Sequence, residues 1–169
     1  MPDQPSAEAP LDWPANGVFQ DRYLCAAQGH KLPDNNVSYI SQHDGATNTL
    51  LFSERAEFGR WNDMAEHEVG FVWHPQLEPG AARDGGSPQG SFDAAKYSSA
   101  RPSSNHPGAF NVAFGDTHVR TIDQNIDYRV YAQLMTPWGD EAAYPGLREG
   151  KKVPVDESFR KHKLPAEFQ

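Results

Sequence analysis

The strongest structural signal in the chain is SNHPGAFNVAFGDTHVR, residues 104–120. Within it Phe110, Val112 and Phe114 alternate with smaller or polar residues, and alternation with a period of two predicts a strand with one buried face. The Gly-Asp-Thr that follows favours a turn, because Gly tolerates positive φ and Asp bonds its own backbone. Residues 118–122 then predict the return strand of a β-hairpin.

Outside the hairpin, the pattern predicts further short elements. Thr49 to Ser53 predicts a strand, and its consecutive Leu-Leu-Phe predicts burial on both faces. Phe71 to Trp73 predicts another strand, whereas Val37 to Ile40 fits either a short strand or the start of a helix. A short helix is expected after the hairpin, with Asn125 or Asp127 as its N-cap, Val130, Tyr131, Leu134 and Met135 on one side, and Pro137 ending it. The prediction is an α+β fold, an antiparallel sheet with short helices.

Three blocks of the sequence carry a resemblance to a known family. His106 and Asp116 are separated by nine residues, in the frame His-Pro-Gly-x-x-Asn-Val-x-Phe-x-Asp-x-x-Val-Arg. A second block is DGATNTLLFSE, residues 44–54, and a third, residues 126–141, ends in Gly-Asp-Glu. In this order they resemble bacterial prepilin-like (pseudopilin-like) proteins named for a C-terminal His-x9-Asp-Gly motif. The sequence departs from the family at Thr117, where the family has Gly after the motif Asp.

The resemblance implies a pilin-like globular head with a structural, non-enzymatic role, related to type II secretion or type IV pili. It implies an extracytoplasmic location, in the periplasm or at the cell surface, and as partners other pilin-like subunits or secretion or envelope proteins. Family members begin with a long hydrophobic helix, and no stretch here reaches the roughly 18 apolar residues of a membrane span. We therefore expect this chain to be a head that lacks the helix. Any contact with the membrane would be made only through such an N-terminal helix, which this chain does not contain.

Ten residues of these blocks are candidate motif or structural positions: Asp44, Gly45, Thr47, Asn48, Glu54, His106, Pro107, Gly108, Asn111 and Asp116. Asp44 and Thr47 are expected to cap backbone groups in their own turn, because short polar side chains reach neighbouring N–H groups. The blocks around Asp44 and His106 are each followed by an apolar strand, so we expect them to share one polar edge of the sheet.

Composition narrows the function classes. The chain has 169 residues and a net charge of −8, which argues against nonspecific nucleic-acid or anionic-membrane binding. Its 14 Gly and 14 Pro favour a loop-rich fold. The single cysteine, Cys25, excludes an internal disulfide, and its apolar surroundings favour a buried small side chain over a reactive thiol.

The organisation along the chain suggests three parts. Residues 1–16 contain four prolines and predict an extended mobile arm, with Trp13 as a residue that could dock onto the body. Residues 17–146 form the predicted globular domain. Residues 147–169 are polar and slightly basic, and we expect this tail to lie against the acidic body or an acidic neighbour.

Metal and catalytic chemistry leave few candidates. The histidines lack zinc-ligand spacing, and no nucleophile elbow or phosphate loop is present, so no catalytic residue is assigned. His106 beside Pro-Gly is expected to be a structural ring rather than a ligand or base. Calcium is the better metal hypothesis because it takes oxygen ligands from loops, with Asp44, Asn48 and Asp116 as ligands, and Glu54, Asp140 and Glu141 as further acidic groups near turns. Otherwise no cofactor is expected.

Two other classes of function stay open. The tryptophans Trp61, Trp73 and Trp138, with the long loop 76–105, could line a site in an extracytoplasmic carbohydrate- or ligand-binding module, although core packing is the simpler role for them. A metal-dependent hydrolase would instead need His106 and Asp116 to converge on one open metal position.

Overall fold

The structure, a computed structural model, describes residues 13–19, 35–56, 71, 73, 101–144, 151–161 and 163–168. In chain order its elements are α1 (Val37–Gln42), β1 (Leu50–Ser53), β2 (Ala109–Phe114), β3 (Val119–Asp123), α2 (Tyr128–Met135), a 3-10 helix (Gly139–Glu141), α3 (Glu157–Lys161) and a second 3-10 helix (Ala166–Phe168). An antiparallel sheet with short helices confirms the predicted α+β class. None of the helices in these ranges is long and apolar enough to cross a membrane.

The predicted hairpin forms the centre of the sheet. The strand order is β1-β2-β3, and both pairings are antiparallel. Along β2 the side chains of Phe110, Val112 and Phe114 are buried and those between them are only partly covered, which confirms the alternation. β2 is stabilised on both sides by backbone hydrogen bonds, so its buried face is held in a fixed register over the core.

Strand β1 has the predicted position but not the predicted burial. Leu50 is buried, Leu51 is half-buried, and Phe52 is 60% exposed beside Phe19, whose ring centroid is 5.5 Å away. The expectation of burial on both faces is wrong, because β1 is an outer strand of a sheet whose core covers one face. An irregularity in the pairing between Leu50 and Phe52 also turns the Phe52 side chain away from that core.

Helix α2 covers the buried face of the sheet. Its Val130 and Leu134 join Leu50, Phe110, Val112, Phe114 and Ile122 in one core cluster. Asp127 is the N-cap, since its carboxylate accepts hydrogen bonds from Arg129 N and Val130 N. The helix ends at Met135, two residues before Pro137, as the missing proline N–H predicts.

For two further predicted segments, the structure settles the secondary structure of only one. Residues 37–42 are helical, with Asn36 as N-cap accepting a hydrogen bond from Tyr39 N at 2.9 Å, so the cap favours a helix over a strand here. In the predicted strand Phe71–Trp73, residue 72 lies outside the described residues. Phe71 and Trp73 themselves are not strand residues, and the predicted fourth strand is not part of the described sheet.

Both terminal segments contribute to the packing. Trp13 donates a hydrogen bond from Nε1 to Tyr144 O at 2.9 Å, and Asn16, placed by the sequence in a mobile arm, is 6% exposed. Near the other end Val155 is 2% exposed and donates a backbone hydrogen bond to Ala142 O, while Lys152 Nζ contacts Glu141 Oε2 at 3.0 Å. The described part of the tail thus lies against the acidic body of its own chain, and residues 1–12 lie outside the described residues.

Candidate functional site

The predicted site residues divide between the two ends of strand β2. Antiparallel pairing places Leu50 opposite Phe114 and Ser53 opposite Val112, so the segment that precedes β1 lies beside the turn that follows β2. His106 precedes β2 and therefore lies at the opposite end. The expectation that the Asp44 block and His106 share one edge is wrong, because the two strands run in opposite directions.

At the His106 end, Glu54 and Asn111 form a two-point contact. Glu54 Oε2 accepts a hydrogen bond from Asn111 N at 3.0 Å, and Glu54 Oε1 accepts one from Asn111 Nδ2 at 3.1 Å. Thr121 Oγ1 donates to Asn111 Oδ1 at 2.8 Å, and Ser53 Oγ donates to Asn111 O at 2.9 Å. Asn111 therefore ties β1, β2 and β3 together at this end, and we name Glu54, Ser104, His106, Asn111 and Thr121 the Glu54 cluster.

The donors of this cluster change the acidity of Glu54. The backbone and side-chain N–H groups of Asn111 lower its pKa most, desolvation opposes them, and Ser104 and His106 lower it further. His106 Nε2 lies 3.7 Å from Glu54 Oε1, beyond hydrogen-bond length, and its side chain is 65% exposed. A carboxylate with a lowered pKa is a weak proton acceptor at neutral pH, so the arrangement suits holding a strand end more than acid–base chemistry.

The turn between residues 105 and 108 introduces β2 as predicted. Pro107 is exposed in it, and Gly108 has a φ of 74° while its carbonyl accepts a hydrogen bond from Gln124 N at 2.9 Å. A residue with a Cβ is strained at such a φ, so Gly108 fits the position. His106 is exposed at this turn, and its ring lies near Glu54 rather than near Asp44, which is at the other end of β2. A structural ring is expected to be partly buried, so that its nitrogens find partners, and the exposed side chain of His106 contradicts that expectation.

At the other end, the hairpin turn is attached to the Asp44 block by its backbone. Gly115 N donates to Thr49 O at 2.9 Å, and Asp116 N donates to Ala46 O at 3.2 Å. Asp116 Oδ1 accepts from His118 N at 3.1 Å and lies 2.5 Å from His118 Nδ1, and the hydrogen bond with the His118 side chain is the main reason that the pKa of Asp116 is lowered. The Asp116 carboxylate is thus directed to its own hairpin.

Within the Asp44 block, the local turn depends on other groups than predicted. Gly45 has a φ of 89° and its carbonyl accepts from Asn48 N and Thr49 Oγ1, while Asn48 Nδ2 donates to Asp44 O at 3.1 Å. Thr47 is exposed. Asn48 and Thr49, rather than the side chains of Asp44 and Thr47, supply the side-chain hydrogen bonds of this turn.

The Asp44 carboxylate instead caps a distant segment. Its Oδ2 accepts a hydrogen bond from Gly139 N at 2.6 Å, at the start of the first 3-10 helix. Burial raises the pKa of Asp44, with the Gly139 N–H opposing this effect and Asp140 adding to it. Beside it the His43 ring stacks on Trp138 with centroids 3.8 Å apart. The correction is that Asp44 links the second block to the third, since Gly139 is 95 residues away in sequence.

The segments that carry the residues proposed for calcium lie side by side, but their carboxylates have different partners. Asp44 accepts from Gly139 and Asp116 from His118. In the described ranges no group of three or more His, Cys, Asp or Glu side chains is arranged to hold a metal ion. Calcium binding by Asp44, Asn48 and Asp116 stays a prediction, which a thermal melt with calcium or with a chelator tests, because a ligand of the folded state raises its stability.

The residues proposed for the two alternative functions either lie far apart or already pack against other residues of the chain. Trp73 stacks on Phe159 with centroids 5.3 Å apart and Trp138 stacks on His43, whereas Trp61 and residues 76–100 lie outside the described residues. His106 and Asp116 flank opposite ends of a six-residue strand, which spans roughly 20 Å. They do not converge on one position.

One residue with unusual surroundings was not anticipated from the sequence. The guanidinium of Arg101 lies over the rings of Tyr128 and Tyr131, with Cζ at 4.4 Å and 5.2 Å from their centroids. Its Nε and Nη2 are buried. The sequence around Arg101 is a Ser- and Pro-rich connection without periodicity, so no local signal indicates this packing.

Among the described residues, the fold and the two polar ends of β2 define a small α+β domain whose polar side chains hold turns and strand ends in place. A family model described as "Protein of unknown function (DUF1559)" matches residues 4–129, most of the chain. The chain belongs to this family. No curated protein and no solved structure matches the chain.

Proposed function

We propose that the chain is the structural, non-enzymatic globular head of a pseudopilin-like protein that acts outside the cytoplasmic membrane, in the periplasm or at the cell surface. Its partners would be other pilin-like subunits or secretion or envelope proteins. The main support is that the three blocks that carry the resemblance form the centre of the fold. The first pairs with the second through β1 and β2, and the third packs across them through α2.

The chemistry of the polar residues agrees with this proposal. Glu54 is engaged by Asn111, Asp44 by Gly139 and Asp116 by His118, so the carboxylates of the motif blocks hold segments of the same chain together. Such groups stabilise a rigid head that other subunits can contact. A catalytic site would instead present a group of perturbed pKa to an open cleft.

The test uses the full-length protein in its own host, with a C-terminal epitope tag and a photo-crosslinking amino acid at Val37 or Val119, which are 65% and 66% exposed. We expect the tag in the extracytoplasmic fraction, where protease reaches it once the outer barrier is opened. We also expect crosslinks to pilin-like subunits that form only under ultraviolet light. A cytoplasmic location, or crosslinks only to unrelated soluble proteins, would contradict the proposal.

A separate experiment addresses the non-enzymatic part. The His106→Ala variant should melt at nearly the same temperature as the parent, because the ring is mostly exposed and makes no short contact with Glu54. If this variant lost a defined hydrolytic activity of the parent while keeping that melting temperature, the structural role would be overturned.

A further inference from the structure

We propose that Arg101 is a carboxylate-binding site, in which its Nε–H and Nη2–H groups hold one carboxylate in a two-point contact above Tyr128 and Tyr131. The site is independent of the function proposed above. It lies where the segment that leads to the hairpin meets helix α2.

The first observation is the state of the two donors. Arg101 Nε and Nη2 are both buried, and neither has a hydrogen-bond acceptor among the described residues. A guanidinium stays protonated in proteins, so these atoms carry positive charge out of water. Buried charges in folded proteins are paired, because an isolated one loses its hydration without compensation.

The second observation is which donors are involved. Nε–H and one N–H of Nη2 lie on the same edge of the guanidinium plane and point in parallel, which is the edge that a carboxylate meets with both of its oxygens. Arg129 offers a useful contrast, since only its Nε is buried without an acceptor. A single donor of that kind needs one acceptor, whereas the Arg101 edge fits a two-oxygen anion.

The tyrosines do not replace the missing acceptor. Their rings contact the guanidinium carbon at 4.4 Å and 5.2 Å, a cation–π arrangement that stabilises the charge without accepting the edge N–H groups. Tyr131 is buried and its pKa is raised by that burial, so its hydroxyl stays neutral and supplies no anion. A carboxylate is therefore the group that completes the site.

The carboxylate can come from the chain itself, which has 23 Asp and Glu against 15 Lys and Arg, or from a free or partner-borne carboxylate. Thermal melts of the parent and of Arg101→Lys distinguish these sources. Each protein is melted in sodium acetate and in sodium chloride of equal ionic strength, at neutral and at acidic pH. Lysine keeps the positive charge but loses the planar two-donor edge. Arg120→Lys is the matched control, because Arg120 also lies over a ring, that of Phe168 at 4.7 Å, without buried unpaired donors.

Two results support the proposal and identify the source. If acetate raises the melting temperature of the parent by about 2–4 °C and does not raise that of Arg101→Lys, the site binds a free carboxylate. If acetate has no effect, and the difference in melting temperature between parent and Arg101→Lys shrinks as the pH falls through the carboxylate range, the carboxylate belongs to the chain. The difference between parent and Arg120→Lys should not depend on either condition.

A second measurement observes the Arg101 side chain directly and does not depend on the stability of the protein. The ¹⁵N-resolved Nε–Hε signal of Arg101, assigned by its loss in Arg101→Lys, should lie downfield and exchange slowly with solvent in the carboxylate-bound state. The proposal is overturned if this signal exchanges like those of exposed arginines, or if the Arg101→Lys difference is the same in acetate, in chloride and at both pH values. In that case the tyrosine rings and water account for the site.

Discussion

At the scale of single residues, the hairpin turn after β2 has an unusual backbone conformation at Thr117. Thr117 has a φ of 75°, the left-handed conformation that a residue with a Cβ rarely adopts. Gly115 does not have a positive φ. Its role is close approach, since a Cβ there would lie 3.1 Å from Ala46 O. The turn thus holds a residue with a Cβ in a conformation that glycine adopts more readily.

Replacing Thr117 with glycine should stabilise the protein. The left-handed conformation costs a residue with a Cβ about 1–2 kcal/mol. Glycine has greater freedom in the unfolded chain, which offsets part of this, so the free energy of unfolding should rise by about 0.5–1 kcal/mol. Urea denaturation at pH 7 measures it. The matched variant is Gly115→Ala in the same turn, which should destabilise because of its contact with the Ala46 backbone. A loss of stability in Thr117→Gly would contradict the strained turn.

Glu54 and Asp44, at opposite ends of β2, should make the stability of the protein depend on pH in opposite directions. The pKa of Glu54 is lowered, so its contribution to stability is present above the ordinary glutamate pKa and is lost as the pH falls through the lowered value. In the Glu54→Gln variant this contribution is absent at every pH. We expect the parent to lose more melting temperature than Glu54→Gln between about pH 5 and pH 3.

Asp44→Asn provides the contrast to that measurement. Burial raises the pKa of Asp44, so its ionisation opposes folding as the pH rises through the raised value, whereas an asparagine in the same place is neutral and can still accept from Gly139 N. The stability of Asp44→Asn relative to the parent should therefore increase from acidic to neutral pH. Equal pH profiles for the parent and both variants would show that neither carboxylate is shifted as described.

At the scale of elements, β2 supplies three of the seven buried residues in the main core cluster. Phe114 is 2% exposed, and its ring stacks on His118 with centroids 4.4 Å apart. Phe114→Ala should destabilise the protein by about 3–5 kcal/mol, because it loses the transfer free energy of the ring and leaves a cavity. Val119→Ala is a suitable control in the next strand, since Val119 is 66% exposed. A thermal melt of Phe114→Ala like that of the parent would show that β2 is misassigned.

The same elements show what a sequence can predict here. β2, β3 and α2 are defined by patterns within a few residues: alternation in the strand, a carboxylate at the helix N-terminus and a proline after its end. The burial of β1 depends on its place in the sheet, which local pattern does not contain. The Asp44–Gly139 contact and the Arg101 packing join segments far apart in sequence, so neither leaves a local signal.

At the scale of the molecule, the terminal segments close the fold around one buried backbone site. Asn16 Nδ2 donates to Ala143 O at 2.8 Å, and Ala143 N donates back to Asn16 Oδ1 at 3.0 Å. Ala143 also forms an isolated antiparallel bridge with Pro154. The N-terminal segment, the region after α2 and the C-terminal segment therefore meet at Ala143, which is fully buried. We expect the described segments to unfold as one cooperative unit, with Trp fluorescence and far-UV circular dichroism giving the same transition.

Asn16→Ala tests this closure directly. The variant removes both partners of the buried Ala143 backbone groups, and each group left without a partner costs about 1–3 kcal/mol, so we expect a loss of about 2–4 kcal/mol in urea denaturation. Asn125→Ala is the control: that asparagine is exposed, its side chain donates to Asp123 Oδ1, and the change should stay within about 0.5 kcal/mol. Because Ala143 also links to the C-terminal segment, Asn16→Ala should shift the fluorescence and dichroism transitions together. If it shifted neither, residues 13–19 would not be packed in solution, and a shift in fluorescence alone would mean that they unfold separately from the sheet.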